Sequence, residues 1–141
     1  MKAFVTGGAG FIGSHLVDRL MQKGSVTIFD NLSSGRVEFV EHHLDKNNFE
    51  LVQADLLDLS KVKKAMKGHD TIFHLAANPD ARLGIRNTDL DLKQETLVTY
   101  NILESMRINK IKKIVFSSSG TIYGETPVIP LSEDYGPVLP I

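Results

Sequence analysis

The chain has 141 residues, with 16 Lys and Arg against 17 Asp and Glu, and a formal net charge of -1. This length predicts one domain, and the charge balance excludes the basic surface typical of nucleic-acid or anionic-membrane binding. There is no cysteine, which excludes disulfides, thiolate metal sites and a cysteine nucleophile. No apolar run approaches the roughly 20 residues of a membrane span, so we expect a cytoplasmic protein.

Short apolar runs alternate with segments of helical periodicity along most of the chain. Apolar residues three or four positions apart predict helices, whereas short apolar blocks bounded by turn residues predict strands. In chain order we predict a strand at 2–6, a helix at 11–23, a strand at 25–29, a short helix at 37–44, a strand at 49–53, a helix at 59–66, a strand at 71–76, a long helix from about 89 to 109 and a strand at 111–117. No further element is predicted in the proline-containing segment that follows.

Strands that alternate with helices predict an α/β fold with a doubly wound parallel sheet, the Rossmann arrangement, in the strand order 3-2-1-4-5. The last strand carries Ile114, Val115 and Phe116 and would lie at an open edge of the sheet. Natural proteins usually protect such an edge, so we expect residues 1–141 to be the N-terminal part of a larger domain.

The first strand runs into a glycine-rich turn, Gly8-Ala9-Gly10-Phe11-Ile12-Gly13, which fits the G-x-G-x-x-G pattern; Gly7, Gly10 and Gly13 also share a spacing of three. Between a strand and a helix, this pattern is typical of dinucleotide binding. Glycines permit the tight turn, the approach of backbone to a pyrophosphate and close packing of helix on sheet. The N-terminus of the helix then offers its N–H groups to the phosphates.

Acidic residues follow the second and third strands at the same edge of the predicted sheet. Asp30 lies 17 positions after Gly13, close to the spacing expected of the acid that binds the adenosine ribose. A carboxylate there repels a 2′-phosphate and favours NAD over NADP, although Arg36 nearby offers a partner for that phosphate. Asp55 is positioned to reach the adenine. Loop capping is the alternative role for both aspartates.

Small and hydroxylated residues follow the fourth and fifth strands. His74-Leu75-Ala76-Ala77-Asn78 ends one strand, and its alanines allow backbone to approach a cofactor. Ser117-Ser118-Ser119-Gly120 leaves the next strand at the edge where open α/β sheets bind ligands. Close packing and a serine-rich turn are the alternative interpretations.

The histidines do not predict a metal site. His42 and His43 are adjacent on a predicted helix, so we expect them to point apart and not to share a metal. His74, inside a strand, is interpreted as a packed core residue.

Taken together, these blocks resemble the extended short-chain dehydrogenases/reductases, and within them the NAD-dependent nucleotide-sugar epimerase/dehydratase group of the UDP-glucose 4-epimerase type. The resemblance rests on five blocks in the expected order, namely 6–15, 30–35, 55–56, 74–77 and 117–124. It implies NAD as cofactor, a nucleotide sugar such as a UDP-hexose as substrate, and epimerisation through a 4-keto sugar by transient hydride transfer. Family members are often homodimers.

The resemblance also implies roles for individual residues. Phe11 and Ile12 match positions over the pyrophosphate, Asp55 and Leu56 the adenine contacts, and Ser119 the catalytic Ser/Thr that binds the reacting sugar oxygen. The loop around the ribose is matched by Asp30, Asn31, Leu32, Ser33, Ser34 and Gly35, and the stretch along the cofactor by Leu75, Ala76 and Ala77, with Ser117 as a further cofactor contact.

Two departures from the family pattern stand out. Glu95 occupies the position of a usual asparagine, and no tyrosine here has lysine four residues later, so the family's Tyr-x-x-x-Lys pair is absent from this sequence. We therefore expect residues 1–141 to bind NAD without turnover. A 4,6-dehydratase, a decarboxylase and a non-catalytic NAD-binding module remain alternatives, and Gly120 argues against the dehydratase because an acidic residue is common there.

Overall fold

Five parallel strands form the centre of the structure, a computed structural model that describes residues 1–124 and 129–135. The strands are β1 (Lys2–Thr6), β2 (Ser25–Asp30), β3 (Phe49–Gln53), β4 (Thr71–His74) and β5 (Lys113–Phe116). Their order across the sheet is β3-β2-β1-β4-β5, and every neighbouring pair is parallel. The predicted doubly wound fold and its strand order are therefore confirmed.

Four α-helices connect the strands: α1 (Phe11–Met21), α2 (Leu59–Ala65), α3 (Ala81–Arg86) and α4 (Val98–Asn109). A π-helical segment, Leu92–Leu97, leads directly into α4. Three single 3-10 turns complete the described elements: Val37–Phe39, Glu41–His43 and Gly120–Tyr123. Asp58 caps the start of α2, since its carboxylate accepts the N–H of Lys61 at 3.0 Å.

The structure differs from the predictions in several helical segments. The helix predicted at 37–44 is two 3-10 turns, because Val40 between them leaves the helical region with φ -127° and ψ 2°. The short α3 was not predicted, and the long helix predicted from 89 is π-helical over Leu92–Leu97. A 3-10 turn also follows β5, where no element was predicted.

Alternation along the strands divides the core between the two faces of the sheet. On β1, Ala3 and Val5 face α1, whereas Phe4 faces the α2 and α4 side. The α1 side is completed by Val17, Leu20, Val26, Ile28 and Val40, and the other side by Phe29, Leu56, Val62, Met66, Ile72, Val98, Ile102 and Met106. Both faces of the parallel sheet are thus covered, as such sheets require.

The apolar edge predicted at the last strand is confirmed. β5 pairs with β4 on one side, and Val115 and Phe116 keep 51% and 52% of their surface exposed. Among residues 1–124 and 129–135, no helix combines the length and the apolarity that crossing a membrane demands.

Candidate functional site

The centre of the site lies between β1 and β4. Successive strands are added on one side of β1 as far as β3 and on its other side from β4 onward, and we call the place between β1 and β4 the reversal point. The segments that follow these strands diverge to opposite faces, and open α/β sheets bind ligands in the resulting crevice. Gly7, directly after β1, lies against the backbone of Ala76: a Cβ on Gly7 would stand 2.8 Å from the Ala76 nitrogen. The structure therefore brings the glycine turn and the 75–77 segment into direct contact.

The glycine turn is built on close backbone contacts. Gly7 has a φ of +69°, a conformation that glycine adopts without steric cost. The Gly10 N–H donates to the Gly7 carbonyl at 3.1 Å, and a Cβ on Gly13 would stand 2.1 Å from the same carbonyl oxygen. Apart from its two chain neighbours, a Cβ on Gly10 would meet only this oxygen, at 3.2 Å, among the described residues within 4 Å, so the turn is open on that side.

The start of α1 faces solvent beside this turn. Its N-cap is Gly10, which has no side chain with which to satisfy the N–H groups of the first turn. Phe11 and Ile12 are 73% and 72% exposed, which is unusual for large apolar side chains at a helix start. N–H groups without a side-chain cap at the positive end of the helix dipole can bind an anion such as a pyrophosphate.

Asp30 ends β2 with a carboxylate that is held in place and almost fully buried. Its Oδ2 accepts the N–H of Ala9 at 3.0 Å, and its Oδ1 accepts the N–H of Leu32 at 2.9 Å. Gly35 packs against it, since a Cβ there would stand 3.0 Å from Oδ1. Each carboxylate oxygen has a second lone pair, so Asp30 closes the loop and can still accept hydrogen bonds from two ribose hydroxyls.

A narrow cleft runs beside Asp30 toward the reversal point. It is lined by predicted residues and by four that the sequence did not indicate; the predicted ones are Gly7, Asp30, Asn31, Ser33, Asp55, Leu56, Ala76 and Ala77, and the others Phe29, Ala54, Gln94 and Val98. Phe29 and Ala54 precede the predicted aspartates and could have been found by extending those blocks. Gln94 and Val98 come from the helical segment around the start of α4, which only the tertiary structure places here.

Side chains across this cleft also bond one another. Asn31 Nδ2 donates to Asp55 Oδ2 at 3.4 Å, and Asp55 Oδ1 accepts the N–H of Leu57 at 2.8 Å. Asp55 thus has the capping role offered as its alternative interpretation, and it faces the cleft as well. A polar end of this kind suits the edge of an adenine.

The serine run borders a second, wider cleft of about 500 Å³ on the other side of the reversal point. Ala77 lines both clefts. The other lining residues are Asn78, Asp91, Glu95, Phe116, Ser117, Ser118 and Ser119. The Ser117 hydroxyl donates to the His74 carbonyl at 3.2 Å, which fixes the start of the run to β4.

The remaining predicted residues frame the clefts. Ser34 lines a groove that also includes Asn31, Ser33 and Ala77. Gly10, Phe11, Ile12, Gly13, Leu32, Gly35 and Leu75 lie in the glycine turn, the 30–35 loop and the 75–77 segment. The predicted set therefore converges on one edge of the sheet.

Glu95 lines the same cleft as the serines. Its Oε1 accepts the N–H of Asn78 at 2.8 Å, and the Asn78 side-chain amide donates to Asp91 at 3.2 Å. Glu95 lies within the π-helical segment, and such insertions are frequent at functional sites. Two carboxylates therefore border the cleft that contains Ser119.

His74 fixes the geometry beneath the reversal point. Its Nδ1 lies 2.6 Å from Thr6 Oγ1, and its Nε2 lies 3.3 Å from Thr99 Oγ1. Thr6 Oγ1 in turn accepts the N–H of Ala76 at 3.3 Å. Burial lowers the pKa of His74 to about 4, so the ring is neutral near pH 7. The interpretation of His74 as a packed core residue is confirmed, with the addition that it holds the 75–77 segment.

The expectation that His42 and His43 point apart is wrong. Their ring centroids are 4.0 Å apart, and both Nε2 atoms lie within hydrogen-bond distance of Asp18 Oδ1. The expectation assumed a regular α-helix, in which neighbours diverge by about 100°. Neighbours in the 3-10 turn Glu41–His43 diverge as well, by about 120°, so the convergence comes from the side chains, both of which turn toward Asp18 on α1.

Comparison with known proteins places these features in one family. The NAD dependent epimerase/dehydratase family matches residues 3–140. The UDP-glucose 4-epimerase of Mycolicibacterium smegmatis is 40% identical over 138 residues, which are 95% of this chain and 44% of that protein. UDP-glucuronic acid decarboxylase 1 of Danio rerio is 37% identical over 143 residues, 99% of this chain and 32% of that protein.

The fold comparison gives the same result. The crystal structure of the UDP-glucose 4-epimerase of Thermus thermophilus in complex with NAD is 35% identical, with a TM-score of 0.84, and the match covers 97% of this chain and 44% of that one. The chain thus spans less than half the length of the relatives it matches.

Proposed function

Since this chain belongs to the NAD dependent epimerase/dehydratase family, we propose that it forms the NAD-binding part of a nucleotide-sugar 4-epimerase that acts on UDP-hexoses. The observation that carries the proposal is the pair of clefts that meet at Ala77, one beside Asp30 and one beside Ser119. An extended dinucleotide laid along them would reach from the ribose loop to the serine run.

The residues present fit a dinucleotide. The glycine turn is open at Gly10, the helix start of α1 supplies N–H donors for two phosphates, and the fixed carboxylate of Asp30 supplies acceptors for ribose hydroxyls. The residues proposed to hold NAD are Gly7, Gly10, Phe11, Ile12, Gly13, Asp30, Asn31, Leu32, Ser33, Ser34, Gly35, Asp55, Leu56, Leu75, Ala76, Ala77 and Ser117. A bound NAD would supply the site with a reversible hydride acceptor.

Charge at the ribose end supports NAD over NADP. The carboxylate of Asp30 is nearly buried, and its hydrogen-bond donors are two backbone N–H groups. These donors are uncharged and do not neutralise the carboxylate, so it would repel a 2′-phosphate beside it. Arg36 is exposed at the end of the same loop, where its backbone N–H donates to the Ala9 carbonyl at 2.9 Å. Because an exposed guanidinium is screened by water and Asp30 is not, repulsion by Asp30 dominates.

Charge at the other cleft supports a neutral sugar. Ser119 is proposed to bind the reacting sugar oxygen, and the carboxylates of Asp91 and Glu95 line the same cleft. A hexuronate would bring a third carboxylate into this cleft, where the half-buried Glu95 would repel it more strongly than the exposed Asp91. This favours a UDP-hexose over the uronic acid that a decarboxylase consumes.

Ser119 supplies only one part of the chemistry. A group that removes the proton from the sugar 4-hydroxyl is also needed, and this sequence contains no Tyr-x-x-x-Lys pair. We therefore expect the 141-residue chain to bind NAD and to leave UDP-hexoses unchanged. A homodimer and a cytoplasmic location remain predictions of the sequence.

Calorimetric titration of the chain with NAD and NADP tests the cofactor assignment. We expect NAD to bind more tightly, and Asp30→Asn to weaken NAD by at least about tenfold, since a hydrogen bond to a charged group contributes about 1.5–3 kcal/mol. Asp30→Asn should also bring the two affinities closer, because the repelling charge is removed. Asp45→Asn, at an exposed position, is the matched control. Equal affinities of the unmodified chain for NAD and NADP would refute the assignment.

A decarboxylase is the second candidate, because decarboxylases are among the relatives. Product analysis of a longer polypeptide that contains this chain and the family's catalytic pair distinguishes the two. Interconversion of UDP-glucose and UDP-galactose supports the epimerase, whereas release of CO₂ from UDP-glucuronate supports the decarboxylase. NAD binding without either reaction would favour a non-catalytic module.

A further inference from the structure

Three metal-ligating side chains converge on the surface of the α1 side, away from both clefts. Asp18 Oδ1, on α1, lies 2.9 Å from His42 Nε2 and 2.6 Å from His43 Nε2, both on the 3-10 turn Glu41–His43. One ligand atom from each residue lies within 4.8 Å of the other two. None of the three lines the clefts described above.

The packing fixes one ligand and leaves the other two accessible. The His43 side chain is 5% exposed, and its ring packs against Phe49 with centroids 5.4 Å apart. The Asp18 and His42 side chains are 46% and 51% exposed. An ion can therefore approach from solvent and meet a cluster whose inner ligand is already ordered.

We propose that Asp18, His42 and His43 form a binding site for Zn²⁺, with water in the remaining position. Two imidazole nitrogens and a carboxylate oxygen are ligands that zinc prefers. Bonds of about 2.0–2.1 Å in a tetrahedron place ligand atoms roughly 3.3 Å apart. The two nitrogen–oxygen separations are somewhat shorter than this value, so small side-chain shifts convert the hydrogen-bonded cluster into a coordination site.

Lys46 contacts the other ring nitrogen of His43, the inner ligand of the cluster. Its Nζ lies 2.9 Å from His43 Nδ1, so the ammonium donates to Nδ1 and the ring proton is on Nε2, directed at Asp18. Zinc at Nε2 requires the other tautomer, in which the single ring proton has moved from Nε2 to Nδ1, where it faces the Lys46 ammonium. The lysine is exposed and can rotate away, but it competes with the metal until it does.

Zinc would join two elements that border the proposed cofactor site. Asp18 is on the helix that begins at the glycine turn, and the histidines follow the 30–35 loop. The Arg36 N–H bond to the Ala9 carbonyl and the buried side chain of Val40 already connect these elements. A metal bridge would add a connection at the solvent side, so zinc should stabilise the fold whether or not a dinucleotide binds.

Titration of the untagged 141-residue chain with ZnCl₂, by calorimetry and by thermal unfolding, tests the proposal. We expect one saturable site and a zinc-dependent rise in Tm. His42→Gln, at an exposed position that leaves the core intact, should weaken zinc by at least about tenfold. His15→Gln, an exposed histidine of the same helix as Asp18 but outside the cluster, is the matched control and should leave the affinity unchanged.

Lys46→Gln provides the opposite test. It removes the competing ammonium and offers a carbonyl oxygen to the Nδ1 proton, so we expect tighter zinc binding. Imidazole ¹⁵N spectra should show zinc-dependent shifts at Nε2 of His42 and His43. The proposal is overturned if no saturable binding occurs, if His42→Gln binds zinc as well as the unmodified chain, or if Lys46→Gln does not tighten it.

Discussion

Protonation of His74 lowers the free energy of unfolding, because its ring is buried in the folded protein. The ring is 1% exposed and its pKa in the folded protein is about 4, against about 6.5 in an unfolded chain. Between these values the unfolded state binds a proton that the folded state does not. The free energy of unfolding therefore falls as the pH decreases from about 6.5 toward 4.

The magnitude follows from the width of this window. Each pH unit costs about 1.4 kcal/mol, so the roughly 2.5 units between the two pKa values correspond to about 3 kcal/mol. For a domain with a typical stability of about 5–15 kcal/mol this is a large fraction. Loss of the neutral ring would also disturb the Thr6 hydroxyl, which holds the N–H of Ala76 at the cofactor cleft.

Urea unfolding of the chain at intervals between about pH 7.5 and 4.5 measures this effect. His74→Asn keeps an acceptor near Thr6 but does not titrate in this range, so the fall in stability below about pH 6.5 should be shallower by up to about 1.4 kcal/mol per pH unit. Comparison of slopes is unaffected by the lower absolute stability of the variant. His15→Asn, on the exposed face of α1, should keep the original slope. Parallel profiles for His74→Asn and the unmodified chain would refute the reasoning.

Three further substitutions test the packing. Gly13→Ala places a Cβ 2.1 Å from the Gly7 carbonyl oxygen, so the turn must shift. We expect calorimetry to show loss of NAD binding and thermal unfolding to show a lower Tm. An unchanged NAD affinity together with an unchanged Tm would contradict the geometry of the turn. Ser105→Ala should raise the free energy of unfolding by about 1 kcal/mol, because this buried hydroxyl has no hydrogen-bond partner within the described residues. A lower free energy of unfolding in urea would show that the hydroxyl does make a hydrogen bond. Lys110→Gly should stabilise by about 0.5–1 kcal/mol in the same assay, since Lys110 ends α4 with φ 59°, and destabilisation would show that its side chain matters more than its backbone.

The sequence by itself determined the fold and the edge at which the site lies. The strands are short apolar runs and the glycine turn is a local pattern, so each was recognisable without knowledge of its neighbours. The order of alternating elements then restricted the topology, because parallel strands require crossovers of one hand. Asp30, Ala77 and Ser119 were placed at one edge by the same rule, since they follow the carboxyl ends of parallel strands.

The tertiary structure alone decided which side chains meet across elements. Gln94 and Val98 reach the cofactor cleft because the π-helical segment and the start of α4 pack beside it, and Asp55 bonds Asn31 as well as facing the cleft. His42 and His43 turn toward Asp18, which lies 24 and 25 positions away along the chain. Local periodicity reports the conformation of one segment, whereas these contacts depend on the packing of two segments that are distant in sequence. For this reason the cluster that we propose as a zinc site could not be read from the sequence.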